Sequence, residues 1–122
     1  MQPEAPVAVS SDAPSANPLM GLIFERDKSQ TEGYVYFIAC GRYVKVGYSS
    51  VHPRRRLVAM RVLNPSPCRL IGVISGGKIL ERTVQRSMSI CKHRNEWFHL
   101  TKATRALIGV LIERHGGQIM GR

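Results

Sequence analysis

The apolar residues of this 122-residue chain fall into short runs that predict three strands. Residues 34–40 are a continuous run of β-branched, aromatic and apolar residues, and residues 43–48 form a second strand-like run. The two-residue break at Gly41-Arg42 between them predicts a β-hairpin. Residues 68–75 have the composition of a third strand, which the glycines at 76 and 77 bring to an end.

Three helices complete the predicted fold. The first follows Ser49-Ser50 and Pro53 and continues to about residue 63, where Asn64-Pro65 ends it. The second covers residues 78–92, with Leu80, Val84, Met88 and Cys91 on one stripe, and the third covers residues 102–115, with Ala106, Leu107, Val110 and Leu111 as its core face. The element order ββαβαα predicts an α/β (α+β) domain with a small three-stranded sheet flanked by helices.

Composition divides the chain into a tail and one domain. Residues 1–18 are rich in Pro, Ala and Ser, and residues 19–31 have room for one or two helical turns, so residues 1–32 are predicted to be a disordered or weakly structured tail. Gly33 marks the boundary, and residues 33–122 can enclose one modest core. The N-terminus lacks a secretory-signal pattern and no apolar run has the length of a membrane span, so the expected location is the cytoplasm.

The three cysteines are expected to be buried free thiols. Cys40, Cys68 and Cys91 are odd in number and widely spaced, which argues against a disulfide framework. Cys91 and His93 are two residues apart, but no second pair of metal ligands lies at the spacing of a zinc site.

The net charge of +10 is unevenly distributed. Residues 1–32 contribute −3, and residues 33–122 contribute +13. A positive field of this size favours a polyanionic partner, with nucleic acid first and an anionic membrane surface second. No basic amphipathic helix supports the second, so nucleic acid is the expected partner and no membrane is expected.

Two charged residues of the basic domain are candidates for chemistry. Glu81 is the single acid between Glu32 and Glu96, among twelve Lys and Arg residues. It either forms a surface ion pair or holds a hard divalent cation beside phosphate. Arg56 projects from the apolar side of the first helix, where it either covers apolar surface with its stem or grips a phosphate bidentately. Composition alone leaves these alternatives open.

The order of five short motifs resembles that of the GIY-YIG nuclease superfamily. Residues 34–38 (Tyr-Val-Tyr-Phe-Ile) resemble its first motif, and residues 45–49 (Lys-Val-Gly-Tyr-Ser) its second. Residues 53–57 (Pro-Arg-Arg-Arg-Leu) are similar to the helix with the catalytic Arg, and residues 80–85 (Leu-Glu-Arg-Thr-Val-Gln) to the helix whose Glu binds the metal. Residues 95–98 (Asn-Glu-Trp-Phe) resemble the ending of the short phage and bacterial branch.

The resemblance implies a metal-dependent endonuclease that hydrolyses DNA phosphodiester bonds. Tyr36 would help to activate water, Arg56 would stabilise charge, and Glu81 would hold Mg²⁺ or Mn²⁺ as the metal ligand. Lys45 would either stabilise charge or act as a general base. These four residues are the expected catalytic residues, and no small-molecule cofactor is expected. The residues expected to contact DNA are Tyr34, Tyr48, Arg54, Arg55, Arg82, Lys92 and Arg94.

Four positions depart from the motifs. Tyr34 replaces the Gly of the first motif, and Lys45 replaces the first Tyr of the second. Met60 and Gln85 stand where members of the superfamily often have His. The alternatives are therefore a catalytically weak or inactive nucleic-acid-binding module of the same fold, or an unrelated small basic RNA-binding protein with stacking aromatics on its sheet. A domain of this size is too small to recognise a long site, so its specificity is either low or supplied by a protein partner for targeting.

Overall fold

The computed structural model describes residues 28–120, which form a six-stranded antiparallel sheet with three helices. The strands are β1 Tyr34–Cys40, β2 Tyr43–Ser49, β3 Cys68–Ser75, β4 Lys92–Arg94, β5 Trp97–His99 and β6 Gln118–Ile119. The helices are α1 Arg54–Leu63, α2 Lys78–Ser87 and α3 Lys102–Arg114, and short 3-10 turns lie at Lys28–Gln30 and Ser89–Cys91. The order across the sheet is β4-β5-β2-β1-β3-β6.

The α+β class is confirmed, but the prediction of a three-stranded sheet in the order ββαβαα is wrong. The strands β1, β2 and β3 occupy the three predicted runs. β4 and β5 lie between α2 and α3, and β6 follows α3. Each of these three strands has only two or three residues, which is too short for an alternating pattern to be recognised. The helix α2 also ends at Ser87, before the predicted residue 92.

Residues 1–27 of the predicted tail lie outside the described residues. Its last residues contact the domain: Arg82 Nη2 donates to Gln30 Oε1 at 3.2 Å. A Cβ on Gly77 would collide with the backbone of Gln30, so this segment lies directly against the start of α2. Within residues 28–120, every helix is too short or too polar to span a lipid bilayer.

The central strand β1 separates two apolar layers. Its odd-numbered residues, such as Phe37, pack with Val84 of α2 and Ile112 of α3. Its even-numbered residues, such as Tyr36, pack with Met60 of α1. Successive side chains of a strand point to opposite faces, so this alternation directs Tyr36 to the α1 face of the sheet.

Cys40 and Cys68 form a disulfide between β1 and β3. The prediction of free thiols is therefore wrong for this pair, although Cys91 is free. The two bonded residues lie opposite each other in the strand register, with Cα atoms 4.3 Å apart. Their separation of 28 residues in sequence conceals this proximity, which arises because β3 pairs with β1 along its length.

Replacing Phe98 with Ala should lower the free energy of unfolding by about 3–5 kcal/mol, because a buried aromatic side chain is removed and leaves a cavity. Phe98 is 1% exposed and packs in the core layer beneath α2 and α3. Denaturant unfolding followed by circular dichroism measures the change. Ile90→Ala is the control, since Ile90 is 92% exposed, and it should change the stability by less than about 0.5 kcal/mol. Equal effects of the two substitutions would contradict this packing.

Candidate active site

Tyr36 extends from β1 across β2 because its partner on β2 has no side chain. Tyr36 pairs with Gly47, and a Cβ on Gly47 would collide with the phenol hydroxyl and ring of Tyr36. Burial raises the pKa of Tyr36 above its ordinary value; Arg56 lowers this pKa, while Glu96 and Glu81 raise it further. The net shift is upward, so the phenol is protonated at neutral pH.

Three elements bring charged side chains to Tyr36. Arg56 comes from α1, Glu81 from α2, and Glu96 from the turn between β4 and β5. All three act electrostatically on the Tyr36 phenol. The structure therefore brings together Tyr36, Arg56 and Glu81, three of the predicted catalytic residues, with a carboxylate that the sequence analysis gave no role.

Lys45 joins the same cluster from β2. Its Nζ lies 3.9 Å from Glu96 Oε1, and its backbone pairs with Trp97 of β5. The backbone N–H of Val46 donates to the Glu96 carbonyl at 3.0 Å, which fixes the turn that carries Glu96 beside β2. Lys45 is thus held close to both carboxylates, since it also acts on the ionisation of Glu81.

Glu81 is half-buried, and its pKa is raised above the ordinary value. Burial is the largest cause and the neighbouring Glu96 the second, while Lys78, Arg82 and Lys45 lower this pKa. The upward shift means that the three cations do not compensate for burial and for repulsion between the two carboxylates.

Gln85 connects Glu81 to the sheet. Its Nε2 donates to the Val46 carbonyl at 2.9 Å and to Glu81 Oε2 at 3.5 Å. Because Glu81 and Gln85 are one helical turn apart on α2, one amide both attaches the helix to β2 and orients the carboxylate. Gln85 is a positioning residue whose role the motif comparison did not indicate.

Met60 is the other position at which members of the superfamily often have His. It is 7% exposed and packs in the core.

A basic trough lies beside this cluster. One hollow of about 440 Å³ is lined by Arg55, Arg56, Lys78 and Tyr48, together with Ser49, Ser50, Val51 and Ala59. A second hollow of about 450 Å³ shares Tyr48 and Ser50 and adds Tyr34, Lys28, Ser29, Glu32, Gly33 and Ser75. The trough therefore presents more cationic than anionic side chains to a ligand.

Arg56 was placed by helical spacing on the apolar side of α1, but it is exposed. The buried stripe of α1 is narrow, since Met60 is buried while Leu63 is 81% exposed. Among residues 28–120, no carboxylate lies within 4.0 Å of the Arg56 guanidinium. Its planar group is consequently available to a phosphate in the trough.

The remaining predicted DNA contacts are distributed around the trough. Tyr48 and Tyr34 line it, and the Tyr48 hydroxyl donates to the Glu32 carbonyl at 2.8 Å.

The other predicted contacts are basic residues. Arg54 is exposed at the first residue of α1, and Arg82 is exposed on α2, where its side chain donates a hydrogen bond to Gln30. Lys92 and Arg94 are exposed on the edge strand β4, beyond β5 and away from the trough.

Glu96, Lys78 and Gln85 are the site residues that the sequence analysis missed. Glu96 belongs to the Asn-Glu-Trp-Phe motif, so its position was marked without its role. Lys78 lies with its Nζ 5.8 Å from the centre of the Tyr48 ring and acts on the ionisation of Glu81. The sequence offers no spacing rule that joins Lys78 to Tyr48, because the contact depends on how α2 follows β3.

The carboxylates of the cluster fit a hard divalent cation. Among residues 28–120, no group of three or more His, Cys, Asp or Glu side chains comes together. Mg²⁺ beside phosphate typically uses one or two carboxylates and completes its shell with water and phosphate oxygens. Glu81 and Glu96 are two such carboxylates, and a cation held by them would offset the charge of Glu96, which adds to burial in raising the pKa of Glu81.

Comparison of the chain with protein-family models, with curated proteins and with solved structures gave no match. The resemblance to GIY-YIG nucleases therefore depends on the five short motifs and on where the fold puts their residues. Those motif residues come from β1, β2, α1, α2 and the turn before β5.

Ionisation of Glu81 should make the folded state less stable. Its folded pKa is raised, so the folded state binds the proton more tightly than the unfolded chain does. The free energy of unfolding should thus fall as pH rises from the ordinary pKa of a glutamate to the raised value, and should level off above it. Glu81→Gln removes this pH-dependent loss of stability. The free energy of unfolding of the variant minus that of wild type should therefore increase as pH rises through that range.

Denaturant unfolding of both proteins between about pH 4 and pH 7 measures this difference. Glu113→Gln is the reference for loss of one carboxylate, because Glu113 is exposed on α3 and outside the cluster. A stability difference between Glu81→Gln and wild type that stays constant with pH would contradict the raised pKa.

Proposed function

We propose that the domain is a metal-dependent DNA endonuclease of the GIY-YIG type. One observation carries the proposal: Tyr36, Lys45, Arg56 and Glu81, which come from four different elements, form one electrostatically connected cluster. A fortuitous resemblance of separate motifs gives no reason for their residues to meet. The basic trough beside the cluster supports a polyanionic substrate.

The side chains have distinct tasks in this proposal. Arg56 grips the scissile phosphate and stabilises the negative charge that develops on it, because its guanidinium is exposed and free of carboxylate partners among the described residues. Tyr36 is protonated at neutral pH, so it orients the attacking water through its hydroxyl and does not serve as a resting base. Lys45 adds positive charge on the side of β2.

Glu81 and Glu96 would hold Mg²⁺ or Mn²⁺, with Gln85 keeping Glu81 in place. When bound, the ion supplies Lewis-acid stabilisation of the phosphate oxygens. The two proposed metal-ligating carboxylates and the proposed phosphate-binding Arg56 all lie near the Tyr36 phenol, since all of them act on its ionisation. A partner protein would supply selection of a long target site, which a domain of this size does not provide.

A catalytically weak binding module of the same fold is the second candidate. The observation that favours it is the ion pair between Lys45 and Glu96, which gives one of the two carboxylates a partner within the chain. Both candidates share the DNA-binding trough and differ only in turnover.

Glu81→Gln should reduce cleavage of supercoiled plasmid in Mg²⁺ or Mn²⁺ by about two orders of magnitude or more, because the metal contributes much of the transition-state stabilisation. The substitution keeps the size of the side chain and removes the charge that a hard cation requires. DNA binding in EDTA should persist or become slightly tighter, since a negative charge has left a surface that meets phosphate. Nicking assays and fluorescence anisotropy measure the two effects.

Glu113→Gln is the matched control and should cleave like wild type, since Glu113 lies on α3 outside the cluster. A Glu81→Gln protein that nicks as fast as wild type would refute the metal-ligand assignment. A wild type that binds DNA but nicks in neither metal would instead establish the binding module.

DNA binding should weaken steeply with salt, because neutralisation of phosphates releases condensed counterions. Residues 33–122 carry a net charge of +13, and each phosphate contact should add about −0.9 to the slope of log affinity against log salt for duplex DNA. Arg55→Gln and Arg56→Gln should each make the slope shallower by about one such contact, since both side chains line the trough. A slope near zero for wild type would remove nucleic acid as the main ligand.

A further inference from the structure

Three aromatic side chains outside the catalytic cluster form a compact group, here called the ring triad: Tyr43 of β2, His93 of β4 and His99 of β5. The Tyr43 and His93 rings are stacked, with centroids 4.5 Å apart and an interplanar angle of 28°. The His99 ring meets His93 edge-on with centroids 4.9 Å apart, and it is tilted against Tyr43 with centroids 5.6 Å apart. Both imidazoles are exposed, and Tyr43 is half-buried. The proposed cleavage chemistry uses none of them.

The ring triad lies beside the candidate active site on the same face of the sheet. Tyr43 pairs with His99, and Lys45, two residues along β2, pairs with Trp97. Alternate residues of a strand share a face and lie about 7 Å apart. Tyr43 is therefore one such step from Lys45, and His93 lies two strands across from β2, on β4. Arg42, Lys92 and Arg94 are exposed neighbours of the triad in sequence, so its surroundings are cationic.

The triad leaves one ring face uncovered by its own members. The three centroid distances are similar, so the rings form a triangle and His99 lies beside the stack of Tyr43 and His93, not beyond it. The face of His93 that points away from Tyr43 is thus free of both other rings, and His93 is exposed. Two further rings fix the orientation of this imidazole, which lowers the entropy lost when a flat ligand stacks on it.

We propose that the ring triad stacks on an unpaired base of bound DNA, so that the substrate class is DNA with unpaired nucleotides near the scissile phosphate. The inference rests on the proposed function. Bases in a duplex are covered by their neighbours, whereas an unpaired base offers its face to an aromatic side chain. Tyr43 is one strand step from Lys45 and His93 lies two strands across on β4, so the stacked nucleotide would lie near the phosphate that is cut.

The geometry favours a base over a metal ion as the ligand of the triad. The imidazoles meet each other edge-to-face and His93 lies flat against a phenol ring. Among residues 28–120, no third His, Cys, Asp or Glu side chain joins them to complete a metal-ligating group. The cationic neighbours on β4 fit the phosphates that flank a stacked nucleotide.

Two labelled DNA probes test the proposal in EDTA: a short duplex, and the same duplex with a central single-stranded gap of a few nucleotides. Wild type should bind the gapped probe about tenfold more tightly, the size expected for one stacked base. His93→Ala should lose this preference, and His93→Phe should retain it because a ring remains. His115→Ala is the matched control and should bind like wild type, since His115 is exposed at the end of α3.

His93→Lys separates stacking from charge, because it supplies a positive charge and removes the ring. The proposal requires that it lose the preference for the gapped probe, with thermal unfolding showing that the variant is folded. A His93→Lys protein that keeps the wild-type preference, or a wild type that binds both probes equally, would overturn the proposal. Tighter binding of single-stranded RNA than of DNA of the same sequence would overturn the assignment to DNA and favour an RNA-binding protein.

Binding and nicking of the two probes distinguish failure of the endonuclease proposal from failure of base stacking by the ring triad. A wild type that prefers the gapped probe but never nicks it in Mg²⁺ or Mn²⁺ would reject the endonuclease and uphold the triad. A wild type that nicks intact and gapped DNA equally well, with equal affinity, would uphold the endonuclease and reject the triad.

Discussion

The register of β1 against β2 is the constraint on which the candidate site depends. It puts Gly47 opposite Tyr36, and only a residue without a side chain leaves room for the phenol at that position. A slip of one residue would send Tyr36 to the opposite face of the sheet. The two-residue loop that fixes this register begins at Gly41, whose φ of 61° is a conformation that glycine adopts without steric cost.

The hydrophobic pattern of the sequence predicts those elements of the fold that contain long apolar runs. β1, β2 and β3 each bury most of their residues, so their runs were visible in sequence. The core face of α3 was predicted less well, because this helix has apolar residues on several sides: Thr104 and Ile108 are buried, while Val110 is 50% exposed. Thr104 is tolerated in the core because its hydroxyl shares a hydrogen bond with Thr101 at 3.0 Å.

The sequence predicted those site residues that a motif marked. It did not predict the roles of residues that join the site only through contacts made in the folded structure. Glu81 and Arg56 stand out against their sequence surroundings, and the motif order suggested that they meet. The role of Glu96 depends on the pairing of β5 with β2, and β5 is too short to be recognised from its pattern. The role of Gln85 depends on the Val46 carbonyl, which is one among many identical backbone groups in the sequence.

The placement of the acidic side chains in the domain also supports the proposed cation ligand. Residues 33–122 contain three carboxylates among sixteen Lys and Arg residues, and two of the three, Glu81 and Glu96, lie close enough to repel. The domain has enough Lys and Arg side chains for Glu81 and Glu96 to form one separate ion pair each. Such pairs would neutralise both carboxylates without bringing them together. The ion pair between Lys45 and Glu96 is partly exposed and is worth at most about 1 kcal/mol, and it leaves the pKa of Glu81 raised. Two carboxylates held together despite repulsion, one of them half-buried, beside a basic trough, have the arrangement that the proposed divalent cation would stabilise.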